Sequence, residues 1–303
     1  MKQTILITGS QGLIGSAIAP RLSDDGYDVR PFDVRAEQAA HRGDVLDRHA
    51  IHEAARGCCG IIHLAAVSRV VCGERDPKLC TETNVDGTKN VITAALEASA
   101  RPWILLASSR EVYGQPQRLP ATEDTQLRPM NVYARSKVDA ERALVEARDA
   151  GARTAIVRFS NVYGSTADHA DRVVPAFARA AAQGTTIRLE GAEHTFDFTH
   201  VDDVARGILR IVELLDRGES LLPPIHLVTG IPTTLSELAE LAMEAGGNTL
   251  PIEHAPARSY DVARFYGDPS RAEALLAWRP RVSLRAGMSK LVNDYRASCR
   301  EAS

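Results

Sequence analysis

Aromatic residues make up only 5% of this 303-residue chain, and lysine supplies just five of its 36 basic side chains. Arginine and alanine are abundant instead, which reads as a compositional bias rather than a function. No excess of positive charge exists: the formal net charge is −3 and the pI is near 6.3. That balance excludes nucleic acid as the main partner, because no basic face is available to neutralise phosphates. No apolar run approaches the roughly 18 residues of a membrane span, so no membrane partner is expected. Cysteine is sparse and unpatterned. Cys58, Cys59, Cys72, Cys80 and Cys299 form neither a C-x-x-C pair nor a His-flanked ligand set, so no metal site is expected. An odd number of thiols without a framework suits reduced cysteines in a cytoplasmic protein. The chain enters an apolar run at once, and no signal peptide is expected.

Glycine, by contrast, is placed with purpose. Thr8-Gly9-Ser10-Gln11-Gly12-Leu13-Ile14-Gly15 follows the apolar run Ile5-Leu6-Ile7 and opens an amphipathic stretch. A strand entering a helix through three glycines brings bare backbone N–H groups to a phosphate, and the helix N-terminus adds partial positive charge. Gly9 permits the turn, Gly12 lets a diphosphate approach, and Gly15 allows the helix to pack on the sheet. Eighteen residues beyond Gly15, a second apolar run ends in Asp33, where a carboxylate accepts bonds from adenosine ribose hydroxyls. Asp44 and Val45 follow a third short run and are placed at the adenine edge. The expected cofactor is a dinucleotide.

Strand-like runs alternate with helical ones through the first half. Ile5–Ile7, Val29–Phe32, Ile61–Leu64, Trp103–Ala107 and Thr154–Phe159 are short and apolar. Leu13–Ser23, Leu79–Ala98 and Val132–Asp149 have helical length. Such βαβ alternation predicts an α/β protein with a parallel sheet covered on both faces, and ligands outside the carboxyl ends of its strands. In the second half proline and glycine become denser, short helices mix with isolated strands such as Ile225–Val228, and a smaller α/β lobe begins near Gly164. The expected division is 1–163 and 164–303, with a soft boundary and segments able to return to the first sheet.

Tyr133-Ala134-Arg135-Ser136-Lys137 sets a phenol and an ammonium one helical turn apart. A nearby cation stabilises phenolate and brings tyrosine toward use as a general acid/base. Chance supplies a Tyr-x-x-x-Lys in about 0.1 of such chains, so the pair carries weight beside the glycine loop. Ser108-Ser109 ends the run Trp103–Ala107, where site residues of an open α/β sheet belong, and a hydroxyl there can share a substrate proton with Tyr133.

These segments occur in order with His63-Leu64-Ala65-Ala66, Asn84, Ser109-Arg110-Glu111-Val112-Tyr113-Gly114, Arg158-Phe159-Ser160-Asn161, Val201-Asp202-Asp203 and Ala277-Trp278-Arg279-Pro280. The ordered set covers nearly the whole chain. It resembles the extended short-chain dehydrogenase/reductase superfamily, the NAD-dependent nucleotide-sugar epimerases and dehydratases. The resemblance implies a Rossmann-type doubly wound parallel sheet with a smaller substrate-binding lobe, and NAD as cofactor. Tyr133 would deprotonate a sugar hydroxyl, usually the 4-OH. Lys137 would hold the nicotinamide ribose and lower the tyrosine pKa, and Ser109 would bond the same hydroxyl. Leu64, Ala65 and Ala66 would line the cofactor near its nicotinamide. Asn161 would contact the substrate phosphate unless it caps a turn, and Arg258 would bind the diphosphate unless it lies on the surface. The family also implies a homodimer through Leu79–Ala98 and Val132–Asp149.

Two departures shape the expectation. Sugar 4,6-dehydratases carry an Asp-Glu pair where this chain has Arg110-Glu111, and an arginine is no acid at neutral pH. Glu111 nevertheless resembles the acid/base of dehydratases and of nucleotide-linked glucuronate decarboxylases. Arg110 is left between binding a substrate carboxylate and facing solvent. Many relatives read Arg-Asp-Phe where this chain reads Phe196-Asp197-Phe198, so one phosphate-binding cation is missing, with Arg172 a weaker replacement than Arg258. Asp33 favours NAD over NADP, although Arg35 keeps some ambiguity. An epimerase acting through hydride transfer at sugar C4 is the leading expectation. A Glu111-dependent dehydratase or decarboxylase, or a net NAD(P)-dependent sugar oxidoreductase, is the alternative.

Overall fold

The computed structural model describes residues 2–258 and 260–301. The apolar runs form β1 (Thr4–Thr8), β2 (Asp28–Phe32), β3 (Gly60–His63), β4 (Trp103–Ser109) and β5 (Thr154–Phe159). With Ile225–Leu227 they make one six-stranded sheet, ordered β2-β1-β3-β4-β5 and then Ile225–Leu227. Every pairing in it is parallel. β2 lies on one side of β1 and β3 on the other, so the chain direction switches there. Loops leaving β1 and β3 part at that point and open a crevice above their carboxyl ends.

Both faces of the sheet are buried, which is why its strands read as continuous apolar runs rather than alternating ones. On one face Ile5, Ile7, Leu105 and Val157 pack against Ile18 and Leu22 of helix Leu13–Asp24 and Val204, Ile208 and Ile211 of helix Val201–Asp216. On the other, Leu6, Ile61, Ile104 and Ile156 meet Ile51, Val91, Ala140 and Leu144 from helices Arg48–Ala55, Gly87–Glu97 and Val132–Glu146.

A second cluster joins Val174, Phe177, Leu238, Ala242, Leu291 and Val292. These come from helices Val173–Gln183, Leu235–Gly246 and Leu284–Glu301. The parallel pair Ile187–Glu190 and Ile252–Ala255 completes this α/β lobe. The chain shuttles between the two units. Helix Val201–Asp216, strand Ile225–Leu227 and helix Ser270–Leu276 belong to the large sheet although they lie between lobe segments.

Three local differences from the sequence reading have physical causes. β4 runs two residues past Ala107, because Ser108 and Ser109 pair with Arg158 and Phe159. Ile225–Leu227 is not isolated but pairs with β5, Ile225 opposite Val157. The segment read as one helix over Leu79–Ala98 is Pro77–Thr81, a π turn over Glu82–Asp86, and Gly87–Glu97. Inside that turn the Asn84 side chain bonds both backbone groups of Val67.

Candidate active site

The glycine loop is built so tightly that only hydrogens fit. Gly9 has φ +71°, and a Cβ there would sit 2.6 Å from Ala65 N. A Cβ on Gly15 would lie 2.6 Å from Gly9 O. Gly12 caps helix Leu13–Asp24 without a side-chain bond, and no acidic residue occupies the first turn. Its leading amides are thereby left for a ligand anion, with the helix dipole behind them.

Beneath the loop, the β1 and β3 ends are joined through hydroxyls and an imidazole. Thr88 Oγ1 donates to Asn84 O at 2.6 Å, so it accepts from His63 Nε2 at 3.0 Å. That fixes His63 Nδ1 as acceptor for Thr8 Oγ1 at 2.7 Å. Burial pushes the His63 pKa down to about 3, which keeps the ring neutral in this chain of bonds.

At the end of β2, Asp33 is buried. One carboxylate oxygen accepts from Gln11 N at 2.9 Å and the other from Arg35 N at 2.8 Å. Each oxygen keeps a lone pair for a ribose hydroxyl. Asp33 bridges Arg42, but Asp44 turns its carboxylate onto Leu46 N and Val45 is buried against Gly87.

A cavity of about 370 Å³ runs from the glycine loop to the smaller lobe, within the range of small-ligand sites. It brings together Gly9, Gly12, Leu13, Ile14, Gly15, Leu64, Ala66, Ser109, Arg110, Glu111, Tyr133, Lys137, Asn161 and Arg258. Asp33, Asp44, Val45 and Ala65 are not among its walls; Ala65 packs against the core under the sheet.

Tyr133 and Lys137 project from helix Val132–Glu146, which Asn131 caps by accepting from Ala134 N at 2.8 Å. Lys137 Nζ donates to Ala107 O at 3.0 Å and stands 5.9 Å from the centre of the Tyr133 ring. One Glu111 oxygen forms an ion pair with Arg110, 3.0 Å from Nη2, and the other accepts from Asn131 Nδ2 at 3.0 Å. Arg110 is buried, not solvent-facing. Its guanidinium lies 4.5 Å from the Phe196 ring centre. Asn161 Nδ2 is buried without a hydrogen-bond partner among the described residues. Arg258 is half-exposed between Glu190 and Asp261.

The sequence pattern of the NAD dependent epimerase/dehydratase family matches residues 5–223. The chain belongs to this family. It is 30% identical to UDP-glucose 4-epimerase of Mycolicibacterium smegmatis over 96% of this chain and 98% of that one. It is 29% identical to UDP-glucuronic acid decarboxylase 1 of Arabidopsis thaliana over 96% of this chain and 69% of that one. Among solved structures, MoeE5 in complex with UDP-glucuronic acid and NAD superposes with a TM-score of 0.89 at 26% identity, covering 97% and 99% of the two chains.

The protein is thus an enzyme of the epimerase/dehydratase family, with NAD as its cofactor. The uncapped amides after Gly12, the Cβ-free surfaces of Gly9 and Gly15 and the ribose-ready carboxylate of Asp33 fit that dinucleotide. Among the described residues no cluster of His, Cys, Asp or Glu is arranged to hold a metal ion, and no helix is long and apolar enough to cross a membrane.

Tyr133 differs electrostatically from the sequence expectation. Burial raises the Tyr133 pKa to about 12, and the groups opposing that rise are the Ser109 hydrogen bond and the Arg172 charge. Lys137 is itself pushed down to about 8 by burial, and its ammonium is engaged with a backbone carbonyl. Both side chains are enclosed, and desolvation is the largest influence on each.

Arg69 and Arg172 also line the cavity. Arg69 pairs with Asp171, and Arg172 reaches Ser68 Oγ at 3.3 Å. Sequence reasoning missed Arg69, although its place just beyond the carboxyl end of β3 was a usable signal. The Phe196-Asp197-Phe198 departure also resolves into packing. Asp197 accepts from Thr229 N, Thr229 Oγ1 and Gly230 N at 2.9, 2.7 and 2.8 Å.

Proposed function

We propose that the protein is an NAD-dependent epimerase of nucleotide-linked sugars, inverting a ring carbinol by transient oxidation at C4. The observation that carries this reading is the state of Glu111. Both of its carboxylate oxygens are engaged, by Arg110 and Asn131, while Ser109, Tyr133 and Lys137 share the cavity with the glycine loop. A dehydratase or decarboxylase needs a mobile acid/base beside the sugar. Here the side chain at that position is tied down, and Arg110 stands where a dehydratase has its acid.

In this mechanism Tyr133 acts as the phenolate that the charges of Lys137 and a bound oxidised nicotinamide would favour against burial. It takes the proton of the substrate hydroxyl and later returns it, with the Ser109 hydroxyl sharing the same oxygen. Lys137 holds positive charge near the phenol and orients the cofactor's ribose. Bound NAD would supply reversible hydride exchange at the carbinol carbon. Asn161 and Arg258 are assigned to the nucleotide diphosphate, for which a guanidinium is suited through paired donors. The reading also includes a homodimer formed through helices Gly87–Glu97 and Val132–Glu146, checked by sedimentation.

The test is product analysis with UDP-linked hexoses and hexuronates. Interconversion of C4 epimers without net NADH formation is expected. A 4-keto-6-deoxy product or released CO₂ would overturn the reading. Tyr133→Phe should lower kcat about 10²–10⁴-fold, the worth of a positioned general base; undiminished turnover would remove Tyr133 from the mechanism.

A further inference from the structure

Arg110 is only half used. Its side chain is 10% exposed, and its guanidinium is flanked by Phe196 at 4.5 Å and Phe265 at 5.8 Å to the ring centres. Nη2 is ion-paired with Glu111. Nη1 is buried with no hydrogen-bond partner among the described residues. Glu111 does not supply a second acceptor, because Asn131 holds its other oxygen. A guanidinium keeps its charge in any folded protein, and a dry, unpaired charged donor is costly. Such a group in a ligand cavity is explained by the ligand.

We propose that Arg110 Nη1 receives a carboxylate carried on the sugar itself, so that the preferred substrate is a nucleotide-linked hexuronate rather than a neutral hexose. This rests on the epimerase reading and deepens it. Arg110 follows Ser109 in the chain and lines the same cavity, so a group bound to it neighbours the carbinol. In a hexopyranose, C5 next to the C4 carbinol carries the exocyclic carbon that is a carboxylate in a uronate. The diphosphate is the other anion of such a substrate, and Arg69, Arg172 and Arg258 share the cavity to meet it. Phe196 stands where many relatives have a phosphate-binding arginine. Here the Arg110 guanidinium lies over its ring, a cation–π contact at 4.5 Å. One cation is exchanged for another nearer the sugar.

The probes are UDP-glucuronate and UDP-glucose, compared for turnover and, by calorimetry on the NAD-loaded enzyme, for binding. Wild type should favour the uronate by at least about 30-fold in kcat/KM, the worth of one charge-assisted hydrogen bond. Arg110→Met should collapse that ratio toward one, chiefly through KM. Arg110→Lys should keep part of it and covers the case in which the methionine variant fails to fold. Equal use of both sugars by wild type, or a ratio unmoved by either substitution, overturns the proposal. Arg110-dependent uronate binding without epimerised product retains the carboxylate site and rejects the epimerase reading. Binding of neither sugar rejects both.

Discussion

Lys137 lines the cavity at an energetic cost to the fold. Burial lowers its pKa from 10.5 to about 8, so the folded state binds the proton less well than the unfolded chain does. Below pH 8 the folded protein carries the full cost of a buried ammonium. Between pH 8 and 10.5 that cost fades as the unfolded chain alone retains the proton, and stability rises with pH. Lys137→Met keeps the apolar stem and removes the charge. It should raise stability at pH 7 by about 1–3 kcal/mol in urea unfolding, lose that advantage by pH 10, and lower kcat at least about 100-fold. A variant less stable than wild type at pH 7 would show that the bond to Ala107 O outweighs desolvation.

At the scale of elements, some segments that mark the family hold helices rather than substrate. Asp203, in helix Val201–Asp216, accepts from Arg281 N and Val282 N at 3.0 and 2.9 Å. Its carbonyl accepts from Trp278 Nε1 at 2.8 Å. The aspartate thus joins the Val201-Asp202-Asp203 segment to Ala277-Trp278-Arg279-Pro280, two stretches far apart in sequence. Asp203→Ala leaves two backbone donors unpaired and should cost about 2–4 kcal/mol, with KM unchanged. Asp203→Asn, which keeps an acceptor, should recover part of the loss. An equal loss in both variants would point to the charge and its pairing with Arg206 instead of the acceptor.

The same scale explains what was readable. β1, its glycine turn and the Tyr133/Lys137 helix face were legible because each is a local pattern: an apolar run, a Cβ exclusion, a spacing of one turn. The break at Glu82–Asp86 was not, because it coincides with Asn84 reaching Val67 across the fold. Likewise, nothing adjacent in sequence announces that Phe196 packs on Arg110, or that Asn131 engages Glu111. The first joins the lobe to the end of β4, the second joins two stretches of the sheet unit, and the proposed reading draws on the second.

For the whole molecule, the consequence lies in acid sensitivity. His63 sits under the glycine loop and His226 lies in the last strand of the sheet, and burial lowers both pKa values to about 3. Burial also lowers His169 and His200. His63 and His226 remain neutral in the fold where the unfolded chain takes up protons, and His169 and His200 act in the same direction. Their contribution is intact above pH 6.5 and is lost as pH falls toward the folded values. Glu123, Asp168 and Asp197 are raised by burial and act in the opposite sense. From pH 7 to pH 5, His63 and His226 alone should remove about 4 kcal/mol of stability, or ~2 kcal/mol each. Urea midpoints measured at constant ionic strength over that interval should fall steadily. Added NAD should raise every midpoint by mass action without changing the slope with pH, because neither histidine lines the cavity. A flat profile would mean that one or both rings gain protons inside the fold. The directional bonds from Thr8 through His63 to Thr88 would then need the other tautomer or a charged ring.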